Sequence, residues 1–198
     1  KAVSEAVEVV ITSIYDTPAS TTITASEDTY INGWDPTTVN GAKQTMWTGH
    51  LDTLRGLVKF DTTSIMPGSP VVTATLNLYR IERRGAPSSS TINVHAVTKN
   101  WSEDSATWQT PWDTIGAVPD NVVLTPSGSA SSSGATPGWL TMDITALVQQ
   151  WVNDPSTNFG ILLLQAAADD LFDGWATSEY WQTDKQPFIT VDYLTTSN

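Results

Sequence analysis

Three groups of side chains in this 198-residue sequence have the types and spacing for chemistry. The first is carboxylates beside aromatic rings. Glu103 and Asp104 lie in "SEDSA" between Trp101 and Trp108, and Glu179 precedes Tyr180 and Trp181. A pair of such acids is the equipment of glycosidic-bond hydrolysis. The second group is clustered oxygen donors: Asp169, Asp170 and Asp173 in "DDLFDG", and Asp28, Asn32 and Asp35 in "EDTYINGWD". Carboxylates with loop carbonyls suit Ca2+. Neither stretch matches an EF-hand loop, and Asx turns with solvated acid are the competing reading. The 169–173 cluster is the preferred of the two because three acids crowd together there. The third group is cations. Arg55 and Lys59 share one strand face, and Arg80, Arg83 and Arg84 stand at the end of another strand. Ion pairing with the many surface acids is their plainest use.

Catalysis is not expected. The two histidines, His50 in "TGHLDT" and His95 in "INVHAV", sit in neither an HExxH nor a nucleophile-elbow setting. Turn and surface roles fit Glu103, Asp104 and Glu179 better than acid–base work. The sequence contains no cysteine, so disulfides, thiolate–zinc sites and thiol redox chemistry are excluded. A net charge of -12 argues against nucleic acid and anionic membrane surfaces as partners. No apolar run has the length of a membrane span.

The elements that must position these residues read as strands. Charged residues are only 15 % of the chain, and turn residues punctuate it regularly, as in an all-β sandwich. Strands are expected at 2–14, 21–25, 28–32, 44–48, 54–61, 70–82, 91–98, 107–109, 121–124, 138–143, 159–167, 174–181 and 187–194. In "LVKFD", Val58 and Phe60 take one face, Leu57 and Lys59 the other. The stretch "TPSGSASSSGATPG" reads as an exposed low-complexity loop. One segment breaks the rhythm: Ile144, Leu147, Val148 and Trp151 follow i, i+3, i+4, i+7 spacing. A helix near 144–152 follows, capped by Asp143, stopped by Asn153 and Pro155, and lying across an open end of the sandwich.

In that order, "EDTYINGWDPTTVNG…MWTG", "RGLVKFDTTSIMPGSPVVTATLNLYR", "WSEDSATWQTPW", "GWLTMDITALVQQWVNDPSTNFGILL" and "SEYWQTDKQPFITVDY" resemble the DNRLRE-domain family, from about Thr22 to Tyr193. The resemblance implies a jelly-roll-like β-sandwich of a secreted or cell-surface protein, without a catalytic centre. Some relatives are modules that bind alginate-like acidic polysaccharides. On that reading Arg55, Lys59 and Arg80, with Arg83 and Arg84, would face the carboxylates of an acidic polysaccharide, and Trp47 or Trp175 would stack on its sugar rings.

The resemblance leaves a surplus at the N-terminus. Val3, Val7, Val9 and Ile11 alternate along "KAVSEAVEVVITSIYD" as in a half-buried strand. Residues 1–20 are therefore expected as an extra donor strand and hinge ("DTPAST"), and 21–198 as the sandwich. Two functions follow. The preferred one is a structural subunit of an extracellular filament, a head-to-tail homopolymer in which each chain donates its N-terminal strand to the next copy. The alternative is a secreted carbohydrate-binding module. A sequence opening on Lys1 adds the expectation that a signal peptide has been removed.

Overall fold

The computed structural model describes residues 15–86 and 88–196. The expected donor strand, with Val3, Val7, Val9 and Ile11, lies outside the described residues. Ten strands and one α-helix follow in chain order: β1 (Tyr15–Asn32), β2 (Thr45–Gly49), β3 (Leu54–Phe60), β4 (Val71–Arg84), β5 (Ser89–Ala96), β6 (Gly128–Ser133), β7 (Gly138–Asp143), α1 (Thr145–Asn153), β8 (Ile161–Gln165), β9 (Phe172–Ala176) and β10 (Phe188–Thr196). The protein is all-β with one short helix, in a sandwich-like arrangement of antiparallel strands. Among the described residues no helix is long and apolar enough to cross a membrane.

The longest strand joins the two layers. Thr17–Thr24 of β1 pair with β10, and Ala25–Asn32 pair with β3, with a register shift between Ala25 and Glu27. The two strands expected at 21–25 and 28–32 are thus one. The stretch expected as a hinge is also strand: Pro18 stands opposite Leu194 and Ser20 opposite Asp192. Proline lacks the ladder N–H, but among the described residues this half of β1 pairs only with β10, and such an edge tolerates it.

In the first layer β4 is central. Its Val71–Asn77 stretch pairs with β10, Thr75–Arg80 with β7 on the other side, and Arg80–Arg84 with β9, which in turn pairs with β2. The second layer runs β1–β3–β8–β5–β6. Alternation along β4 sends Ala74, Leu76 and Leu78 inward, where they meet Val58, Phe60, Ile92, Val94 and Met142. Helix α1 adds Leu147, Val148, Trp151 and Val152 to this core. Its cap differs from expectation. Ile144 is the cap residue, and Asp143 Oδ1 accepts the Thr145 N–H at 2.8 Å one position earlier.

The second layer is covered on its outer face as well. Ile31, Leu57 and Leu162 pack there against Val97, Trp101, Ala106, Trp112, Ala117 and Val122 of the long segment between β5 and β6. The strands expected at 107–109 and 121–124 do not form; Val97 opposite Val122 is the one bridge there among the described residues. The low-complexity stretch corrects the reading in the other direction. Six of its residues form β6, paired with β5 from Ser89 opposite Ser133 to Val94 opposite Gly128. Small side chains give it little intrinsic strand preference. Tertiary partners supply the rest: Ala130 packs on the core and the Ser132 hydroxyl on buried arginines.

Candidate functional site

With one layer covered on both sides, the open sheet face is that of β4, β9 and β2. Burial alternates along β2, with Met46 and Thr48 inward and Trp47 half-exposed. Trp47 stands opposite Gly174 of β9, and a Cβ on Gly174 would meet the ring at 3.0 Å. The missing side chain is the seat of the indole. From this seat a run of rings crosses the surface. The Arg84 guanidinium lies 5.0 Å from the Trp47 ring centre, Phe172 is 5.3 Å from Trp47, His50 is 5.0 Å from Phe172, and Trp34 meets His50 edge-on at 3.9 Å. Trp34 is 62 % exposed. Five residues from four separate parts of the chain thus make one aromatic strip with a cation at its end.

The turn between β2 and β3 holds the middle of the strip in an uncommon conformation. His50, Leu51 and Asp52 all have positive φ, at 50°, 55° and 62°. For side chains with a Cβ each such residue costs on the order of 1–2 kcal/mol. The turn is held by its neighbours: His50 and Leu51 donate their N–H groups to Leu171 O at 2.9 Å and Asp169 O at 2.7 Å, and Thr53 Oγ1 donates to His50 O at 2.6 Å. Strain of this kind gathers where a surface is being positioned. Here it sets the His50 ring against Trp34 and Phe172.

The expected basic surface is not open. Arg55 and Lys59 do share a strand face, but it is the face that the 97–122 segment covers. Arg55 is buried, pairs with Asp52 at 2.7 Å and lies 4.6 Å from the Trp108 ring centre. Lys59 pairs with Glu27 at 2.8 Å and lies 4.5 Å from the Trp101 ring centre. Trp175 cannot stack on a ligand, because it is fully buried and its indole N–H donates to Thr48 Oγ1 at 2.9 Å. Arg80 is buried at the inner edge of β4 beside Trp175. Trp47 and Arg84 are the expected residues that stand on the open strip.

The expected Ca2+ cluster is taken apart by the alternation of β9. Asp173 points inward, fully buried, to Arg83 at 2.8 Å and Arg80 at 3.8 Å, where a cation would meet two positive charges. Asp169 accepts from Gln165 Nε2 at 2.6 Å, and Asp170 stands on the surface 3.0 Å from His50 Nδ1. Among the described residues no group of three or more acids or histidines is arranged to hold a metal ion.

The acids considered for glycosidic chemistry lie around the buried Asp28. Its N–H donates to Glu103 Oε2 at 2.9 Å, and its Oδ2 accepts from the Ser178 N–H at 2.7 Å. Burial pushes Asp28 up to about 7; the Ser178 bond lowers it, and the charges of Glu179 and Glu103 add to the rise. Burial likewise raises Glu103. This group lies on the β1–β3 side, joined to the covering segment, rather than on the strip. Of the histidines, His95 is buried with Nδ1 at 3.0 Å from Val123 O.

The residues missed by sequence reasoning are Trp34, His50 and Phe172, whereas Arg84 is among the expected cations. No spacing links positions 34, 50 and 172.

The chain matches carbohydrate-binding module family 96 over residues 19–190. Among the curated proteins none matches it. With most of its length matched, the chain belongs to carbohydrate-binding module family 96, which supports the carbohydrate-binding side of the resemblance.

Proposed function

We propose that this protein is a non-catalytic carbohydrate-binding module that acts outside the cell and recognises an acidic polysaccharide. The observation that carries the reading is the strip from Trp34 through His50, Phe172 and Trp47 to Arg84. Sugar rings present apolar C–H faces, which aromatic side chains cover, and polar edges, which charged groups satisfy. Arg84 supplies a guanidinium whose planar fork matches a carboxylate. Its placement matters in a chain of net charge -12, which as a whole repels a polyanion. Three of the nine lysines and arginines (Arg80, Arg83 and Arg84) fall within five residues of β4, beside the strip. In the same reading the sandwich is a jelly-roll variant, with β1 serving both layers.

The filament expected from the N-terminal run draws no support from the described residues, where the stretch meant as its hinge is paired along β10.

The test is a titration of the chain with a uronic-acid polymer and with a neutral polymer of similar length. The reading expects saturable binding of the acidic polymer that weakens as salt is raised, because exposed charges are screened beyond about 10 Å at 0.1 M. Equal binding of both polymers would remove the acidic specificity, and binding of neither would remove the function.

A further inference from the structure

Between the edges of β6 and β7, which have no further strand partner among the described residues, the sandwich opens into a recess of about 230 Å³. We propose that this recess is an oxyanion subsite, separate from the aromatic strip, that takes the carboxylate of a single sugar residue. The sugar part of this proposal rests on the carbohydrate reading above; the oxyanion part does not.

The argument begins with charge. Arg80 and Arg83 are both turned inward at the end of β4, and among the described residues Asp173 is the one carboxylate they share. The Ser132 hydroxyl completes the group, donating to Asp173 Oδ2 at 2.9 Å while Arg80 Nη1 and Arg83 Nη2 each donate to it at 2.7 Å. Two guanidiniums against one carboxylate leave one positive charge in excess. A buried charge without a counter-charge is costly, and an anion in reach removes that cost.

Hydrogen bonding points the same way. Arg80 Nη2 donates to the carbonyls of Ser133, Gly134 and Thr136 at 3.0, 2.8 and 2.8 Å. Its Nε–H is buried and has no partner among the described residues. Burial, and then the charge of Arg83, lower the Arg80 pKa, while Asp173 acts against them. The same arginine lines the recess, together with Ser131, Ser133 and Thr136, whose residues are exposed and bring further hydroxyl donors. At the rim stands Trp139, 44 % exposed, set edge-on to Tyr79 at 5.3 Å and Phe188 at 5.4 Å. Trp139 is also among the residues lining the recess, so a sugar held there would lie beside it.

Gly138 offers a plug. It stands opposite Arg80 in the β4–β7 ladder and lines the recess. Strand alternation turns it to the same side as the half-buried Leu140 and the buried Met142. A Cβ there would meet nothing within 4 Å, so Gly138→Val fills space without disturbing the arginine network.

The experiment is a calorimetric titration of the whole chain at fixed low ionic strength with sodium D-galacturonate, D-galactose and sodium acetate. Galacturonate is expected to bind saturably and galactose not. Gly138→Val and Arg80→Lys should each weaken galacturonate about tenfold or more, whereas Leu124→Ala, an exposed residue away from the recess and the strip, should leave it unchanged. Acetate binding as tightly as galacturonate supports an oxyanion subsite that reads no sugar ring. Galacturonate binding more tightly, with Trp139→Ala removing the difference, supports a uronate subsite with the ring on Trp139. Galacturonate binding that ignores Gly138→Val, or equal binding of galactose, overturns the proposal. A polymer that binds while galacturonate does not also overturns it and leaves the carbohydrate reading standing. Galacturonate binding without polymer binding does the reverse.

Discussion

Arg84 is shared between Trp47 and Glu82: its guanidinium lies 5.0 Å from the indole centre, and its Nη2 holds the Glu82 carboxylate at 2.9 Å. The pair with Glu82 is exposed, with 57 % of the arginine side chain and 38 % of the glutamate open to solvent. Such pairs contribute little to stability, with a median of about 0–1 kcal/mol. The carboxylate of a glycan and that of Glu82 therefore compete for one cation at small energetic cost.

From this competition follows a pair of opposite effects. Arg84→Ala should weaken binding of a uronic-acid polymer and flatten its dependence on salt. Glu82→Gln, which frees the guanidinium, should strengthen binding. Both are read from titrations at two ionic strengths. Parallel losses in the two variants would mean that the intact ion pair, rather than the free cation, is what the ligand uses.

Asp173 holds two inward-turned arginines, and its removal should be felt in stability. Breaking a buried ion pair by deleting one partner costs about 3–5 kcal/mol. Asp173→Asn should therefore lower the denaturation midpoint strongly, while Asp170→Asn, on an exposed residue, should shift it little. Similar midpoints for the two variants would show that the Arg80–Arg83–Asp173 group is not a structural anchor.

Asp28 sets a pH dependence. Its pKa is raised from 3.8 to about 7 by burial, so between these values the folded chain keeps a proton that the unfolded chain has released. Unfolding stability therefore falls as pH rises from about 4 to about 7, by on the order of a few kcal/mol, and levels off above. Asn at this position is neutral throughout and still offers an oxygen to the Ser178 N–H. Thermal unfolding of Asp28→Asn should show a flatter profile across that window and a higher midpoint than wild type at pH 7. Identical profiles would place the titration elsewhere.

Much of the fold was legible because period and burial agree. The strand read at 138–143 is β7 residue for residue, and the helix read at 144–152 is α1 displaced by one. The misses have physical causes. Strand β6 is made of Gly, Ala and Ser, whose local preference is weak, and its partners are β5 and two arginines far away in sequence. The segment covering the second layer contributes Trp101, Trp112 and Val122 at irregular spacing, so no period announces a buried face. That segment is why Arg55 and Lys59, correctly placed on one strand face, end up covered. Trp175 was misplaced for a simpler reason. An indole reads the same at a rim and in a core, and the strand boundary that decides its side, Phe172–Ala176, begins before the expected 174. Of the candidate site Trp47 and Arg84 were legible, the first because alternation within a short strand turns it outward, the second as one of three cations at the end of a strand; Trp34, His50 and Phe172 come from other strands and loops.

The most direct measurement of the central claim is the affinity of Trp47→Ala for a uronic-acid polymer beside that of wild type, with the fold of the variant checked by its unfolding midpoint. The ring is half-exposed over Gly174, so its loss should leave the core intact. The account predicts binding weakened at least about tenfold, or some 1.4 kcal/mol, with little change in midpoint. Unchanged affinity in a folded Trp47→Ala variant would contradict it, because the strip would then not be where the glycan binds.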